Sequence, residues 1–192
     1  MVLPNPFPRS SMIQSLLLLA TLAVPQADAA ELAGVTMPDT ATVAGKELVL
    51  NGMGLREKFF IDVYVGGLYL PAKTTDASAA IKQDVPKRIT MHFVYSEVGK
   101  EKLTGAFDDG FEAVGAKATQ AEGLAKLNGM MQTVQKGDTI TLDYEPGTGT
   151  HVMVKGQKKG TIAGVEFMQA LWGVYLGPSP PTSALKKGLL GG

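Results

Sequence analysis

Phe59-Phe-Ile-Asp-Val-Tyr-Val-Gly-Gly-Leu-Tyr-Leu70 sets the class of this 192-residue chain. Phe59, Ile61, Val63, Val65 and Tyr69 alternate with Phe60, Asp62, Tyr64, Leu68 and Leu70. Period two with β-branched and aromatic residues predicts a strand with one apolar face. Gly66-Gly67 inside it marks a bulge or a close approach of another backbone. Pro71 stops it. Upstream, Glu47-Leu-Val-Leu50 is a short strand, and Asn51-Gly-Met-Gly54 is a turn or bulge, because isolated glycines supply positive φ at little cost. Residues 31–45 read as an extended lead-in.

Downstream, a short helix is expected over Asp76–Lys82 and a second strand over Arg88–Tyr95. Ser96 offers a hydroxyl to cap a following helix. On that helix Leu103, Phe107, Phe111 and Val114 recur every three or four residues, the pattern of a helix lying on a sheet. A further helix is expected over Thr119–Val134. Strands follow at Asp138–Tyr144 and Val152–Val154, with turns at Glu145–Thr150 and Gly156–Gly160 leading into Thr161-Ile-Ala. Helices close the reading at Val165–Leu176 and Thr182–Leu190. Long strands without regular strand–helix alternation predict an α+β fold, an antiparallel sheet with helices packed on one face.

Composition removes whole classes of function. Lys+Arg and Asp+Glu both number 18, so the chain has no general attraction for a phosphate backbone and no nucleic acid is expected as a partner. With no cysteine and two histidines far apart, neither a thiolate nucleophile nor a metal site is expected, and no cofactor is implied. Arg9 precedes an apolar run, Met12 to Val24, and Ala27-Asp-Ala29 supplies a small-x-small cleavage pattern. Residues 1–29 therefore read as a secretory signal peptide and residues 30–192 as one domain. The run is shorter than the roughly 20 residues a bilayer span needs, so no membrane span is expected after cleavage. The expected location is the periplasm. The cleaved chain keeps 17 charges of each sign and only two arginines, Arg56 and Arg88.

Several motifs carry no chemistry. Asn51-Gly-Met-Gly-Leu-Arg-Glu57 begins like a dinucleotide fingerprint, but Glu57 replaces the third glycine and a strand follows where a helix N-terminus is needed. Asp108-Asp109 with Glu112 reads as a solvated helix face, and His92 and His151 as structural residues. No serine elbow is present, and no catalytic residue is assigned. Arg56 stands apart, since it follows a glycine-rich stretch and precedes the most apolar strand. It calls for an anion. Asp62 or another carboxylate can supply it, or Arg56 is simply exposed at a turn. Alternatively, its guanidinium fork clamps the carboxylate or phenolate of an apolar ligand.

Taken as a set, Leu50-Asn-Gly-Met-Gly-Leu-Arg56, Phe60–Leu70, Lys87-Arg-Ile-Thr-Met91, Lys136-Gly-Asp-Thr-Ile140 and Val165–Gly177 with Pro180 resemble the chalcone isomerase-like family, specifically its exported bacterial branch. The resemblance spans roughly residues 45–191. It implies an open-faced sandwich, with a large antiparallel sheet, a layer of helices and a ligand cleft between them. In plant members of the family an arginine orients a phenolate during ring closure onto an enone, and a tyrosine, an asparagine and two hydroxyl residues complete the network. Arg56 matches the arginine and Tyr64 one hydroxyl position. Gly99, Ala106 and Gly173 stand at the remaining ones. The fold also serves plants as a fatty-acid binder, where an arginine and a tyrosine hold the carboxylate. The expectation is thus a non-catalytic, exported protein that holds a small amphipathic anion such as a fatty acid, with Arg56, Tyr64, Phe107 and Phe111 as ligand-binding residues. The alternative is an intramolecular lyase or isomerase acting on an enone through Arg56. On one straight strand Arg56 and Tyr64 would lie about 26 Å apart, so their cooperation requires a hairpin near Arg56-Glu-Lys58.

Overall fold

The structure is a computed structural model that describes residues 1–2 and 29–192. The signal-peptide reading falls on residues 3–28, outside the described residues. In chain order the elements are β1 (Ala30–Leu32), β2 (Val35–Met37), β3 (Thr40–Val43), β4 (Lys46–Lys58), β5 (Ile61–Leu70), α1 (Ala77–Lys82), β6 (Lys87–Phe93), β7 (Glu97–Val98), α2 (Lys100–Ala113), α3 (Ala121–Met130), β8 (Val134–Gln135), β9 (Thr139–Glu145), β10 (Gly149–Val154), β11 (Gln157–Ile162), α4 (Val165–Leu176) and α5 (Ser183–Leu189). Seven strands form one sheet in the order β11-β10-β9-β6-β5-β4-β3. Every pairing in it is antiparallel. This is the α+β arrangement that the strand and helix periods predict.

Alternation along the strands builds two cores. Leu68, Ile89, Met91, Phe93, Ile140 and Leu142 face the helices and meet Phe111, Phe167, Leu171 and Trp172. On the opposite face, Leu48, Leu50, Val65 and Tyr69 are covered by Val35 and Met37 of the β1–β2 hairpin. Tyr69 donates its hydroxyl to the Pro38 carbonyl at 2.9 Å on that side. A flap of the chain therefore closes the β4–β5 part of the second face, while Thr90, His92, Thr141 and His151 further across the sheet stay half-buried.

Strand β4 changes sides part-way along. Leu50 pairs with Tyr69 and Gly52 with Leu68, so Asn51 is an extra residue, a bulge. Because side chains alternate with period two, one extra residue moves everything beyond it to the other face. Leu48 and Leu50 point to the flap, whereas Gly52 and Gly54 point to the helices, where α5 lies directly on them. A methyl group at Gly52 would collide with the Gly188 carbonyl oxygen, and one at Gly54 with that of Leu185. Asn51 turns its side chain to the same purpose. Its amide donates to the Leu189 carbonyl and its oxygen accepts from the Thr74 amide, both at 2.7 Å.

The structure corrects several boundaries. Residues 31–45 hold three short strands instead of an extended lead-in, with turns at Ala33-Gly34 and Ala44-Gly45. Phe59-Phe60 is not the start of a strand but the two-residue turn between β4 and β5. Gly99 rather than Ser96 is the N-cap of α2, because Glu97 and Val98 first pair with Gln135 and Val134. That pairing also ends α3 at Met130, short of Val134. The turn read at Gly156–Gly160 is confined to Lys155-Gly156, and Gln157–Ile162 pairs with β10.

Candidate functional site

The β4–β5 hairpin brings Arg56 directly opposite Tyr64. Beyond the Asn51 bulge Arg56 has the same parity as Gly52 and Gly54, so it shares their face of the sheet. There the guanidinium carbon sits 5.6 Å from the centre of the Tyr64 ring. Tyr64 in turn meets Phe93 edge-on, with centroids 5.6 Å apart. A cavity of about 670 Å³ opens at this point between sheet and helices. Tyr64, Met91 and Phe93 make its floor, and Leu103, Ala106, Phe107 and Gly110 of α2 cover it. Val174 and Tyr175 of α4 form one wall, while Lys58, Phe59, Ile61 and Tyr95 stand with Arg56 at the hairpin end.

The two arginines of the described chain differ sharply. Arg88 makes a bidentate pair with Asp143, at 2.5 and 2.6 Å. Arg56 has no ion pair among the described residues. Asp62 does not supply one; it stands opposite Glu57, one step nearer the turn. The guanidinium therefore presents its donors to the cavity with a tyrosine face against it. Both phenols nearby are held neutral. Burial pushes the Tyr64 hydroxyl up to about 12, with Arg56 pulling the other way. Burial also raises Tyr175 well above the ordinary phenol value, and Tyr64 adds to the effect. Neutral tyrosines beside a fixed cation make a donor set for an anion. They do not make a general base at neutral pH.

Arg56, Tyr64 and Phe107 thus lie around one cavity. Phe111 does not join them. One turn further along α2 it is fully buried against Phe167, with ring centroids 5.5 Å apart. Sharing a helix face with Phe107 was not enough, because Phe111 turns into the core against Phe167 while Gly110 and Ala113 line the cavity beside it. A side chain at Gly110 would press on Val174. Of the positions matched to the plant network, Ala106 lines the cavity and Gly173 faces Val114 instead. Tyr175 was missed by sequence reasoning. It was legible as an inward residue of α4, but Phe167 through Leu176 are buried around most of that helix, so periodicity had no means of pointing to the cavity. Its hydroxyl rests on the Met91 sulfur at 3.3 Å.

The acidic cluster on α2 resolves into separate roles. Asp108 accepts from the Asn128 side chain at 2.8 Å and ties α2 to α3, Glu112 pairs with Lys117, and Asp109 stands at the cavity rim. His151 bridges Thr161 and Glu145 across neighbouring strands. No helix among the described residues is long and apolar enough to cross a membrane.

A family model described as chalcone isomerase-like matches residues 29–191. The crystal structure of a fatty-acid binding protein from Arabidopsis thaliana superposes with a TM-score of 0.68 at 17% identity, over 85% of this chain and 96% of that one. No curated protein sequence matches the chain.

Proposed function

Because this chain belongs to the chalcone isomerase-like family, we propose that it is a non-catalytic carrier of a small amphipathic anion, a fatty acid in the first instance. One observation carries the reading: an arginine without a carboxylate partner among the described residues faces an apolar cavity of about 670 Å³. That volume falls within the roughly 300–1,000 Å³ of ordinary small-molecule sites. In this reading Arg56 takes the carboxylate through its fork, and the neutral Tyr64 hydroxyl donates beside it. Met91, Phe93, Leu103 and Phe107 enclose the chain of the ligand. The fatty-acid binding protein of similar fold supports the choice of ligand class. Export to a bacterial periplasm through residues 1–29 is part of the proposal, and mass spectrometry of the exported protein tests it by finding or not finding a chain that begins near Ala30.

The binding test uses delipidated protein and titration with a long-chain fatty acid. Arg56→Ala is expected to weaken binding about tenfold to a hundredfold, the worth of a charge-assisted hydrogen bond. Arg56→Lys keeps the charge, loses the fork and falls between. Binding by Arg56→Ala equal to that of the parent protein removes the arginine from the mechanism. The same Arg56 would serve ring closure of a chalcone, so a turnover assay above the spontaneous rate runs beside it; acceleration there moves the protein to the enzyme reading.

A further inference from the structure

Four hairpins of the described chain turn on two residues whose φ angles are both positive. Three use glycine second: Ala33-Gly34, Ala44-Gly45 and Lys155-Gly156, with glycine φ between 72° and 74°. That is the chemistry such a tight turn demands. The fourth is Phe59-Phe60, at 53° and 63°. Bulky side chains are strained in this region of backbone space. They are also wide open to water, Phe59 at 83% exposure and Phe60 at 97%, with Ile61 at 43% beside them. A pair of aromatic residues is thus held at the one of these four turns that lines the cavity, where it forms the exposed mouth, against both turn chemistry and the hydrophobic effect.

We propose that the Phe59-Phe60-Ile61 tip inserts into the surface of a lipid bilayer and sets the cavity mouth against the membrane. The occupant follows from area and charge. Together the three side chains offer roughly 400–500 Å² of surface, well short of the about 800 Å² per partner that a stable protein interface uses. A bilayer asks for no matching shape. It needs apolar side chains flanked by groups that stay in the headgroup layer. Lys58 lies 5.8 Å from the Phe59 ring and supplies one. Charge around the mouth is mixed, with Arg56, Lys58 and Lys102 against Glu97 and Asp109, so insertion is driven by the rings and salt has little effect on it. The purpose of docking rests on the carrier reading, since cargo dissolved in a membrane would enter through this mouth; the docking itself does not.

Flotation with phosphatidylcholine vesicles tests it. Phe60→Gly is the informative variant, because Phe60 does not line the cavity and glycine relieves the turn. The folded parent protein is expected to float with vesicles, at low and high salt alike. Phe60→Gly is expected to bind them about tenfold more weakly, to melt no lower than the parent, and to bind free fatty acid equally well. Phe60→Trp is expected to float and to shift its emission to the blue on adding vesicles. A parent protein that stays in solution, a Phe60→Gly variant that floats as well as the parent, or a parent dimer that Phe60→Gly dissociates overturns the proposal. A protein that floats but binds no fatty acid leaves the docking standing and removes the carrier reading instead.

Discussion

Lys87 shows how far one residue can be pushed by its surroundings. It is fully buried in the core, where its ammonium donates to the Ala80 carbonyl at 2.8 Å at the end of α1. Burial lowers it to about 8 from 10.5, and Asp84 only partly offsets this. Between those values the unfolded chain holds a proton that the folded chain has released, so stability rises with pH. The gain is absent below pH 8 and complete above about 10.5. Tyr64, Tyr69 and Tyr144 act in the opposite sense, since burial raises each from 10 to about 12. Their contribution is lost as pH climbs from 10 toward 12. A comparison with Lys87→Met isolates the lysine, because the tyrosines are common to both proteins. The stability difference, parent minus variant, is expected to grow from pH 8 to 10.5; a difference flat with pH contradicts the buried lysine. Arg56 and Arg88 make the complementary point. Both sit on strands in a chain with one candidate partner after another, yet among the described residues only Arg88 is paired. The sequence made Arg56 conspicuous through its neighbours, but pairing is a matter of which strands meet: β6 on β9 sets Arg88 opposite Asp143, and β4 on β5 sets Arg56 opposite Tyr64.

At the scale of elements, the seat of α5 on β4 is the most exacting contact. Two glycines on the strand and one on the helix let the backbones touch, and Asn51 bolts them with a hydrogen bond to Leu189. Gly54→Ala is expected to cost about 2–3 kcal/mol, as overpacking against rigid backbone does, and to lower the melting midpoint accordingly. Gly45→Ala is the control for added bulk, having nothing within 4 Å, although its positive φ carries a smaller strain cost of its own. An equal loss in both variants would deny the close seat. The glycines of Asn51–Gly54 illustrate what was readable. Their spacing announced an unusual backbone, and Glu57 in place of a third glycine excluded a dinucleotide site, but a bulge and a tight turn draw on the same residues. What distinguishes them is α5, more than 130 residues away. Conversely, Phe59-Phe60 was read as strand because its composition is strand-like. The hairpin needed for Arg56 to reach Tyr64 was foreseen from distance alone; the turn that makes it contradicts local propensity.

Across the whole molecule, the long amphipathic patterns predicted the layers correctly, and the small residues Gly105 and Ala106 of α2 leave room that no hydrophobic period reveals. A ligand held there stabilises the folded state by mass action, about 2.7 kcal/mol at a hundredfold excess over Kd. For a domain of this size that corresponds to a rise of about 5–10 °C in melting temperature. Ala106→Trp, which fills the cavity from the α2 side, is expected to fold and to lose that rise; a full thermal shift in the filled variant would place the ligand elsewhere. The Asn51 bulge has a consequence at this scale as well. A strand has a reading frame of two, and Asn51 is its one-residue frameshift. Deleting Asn51 closes the ladder with Gly52 still opposite Leu68 and leaves Arg56 on the cavity side, whereas deleting Leu55 keeps the glycines beneath α5 and sends Arg56 to the flap side, and inserting one residue before Arg56 restores it. Recognition of the ligand and seating of the helix, fused in the natural chain, thereby become separable phenotypes, open to suppressor selection in the manner of frameshift genetics.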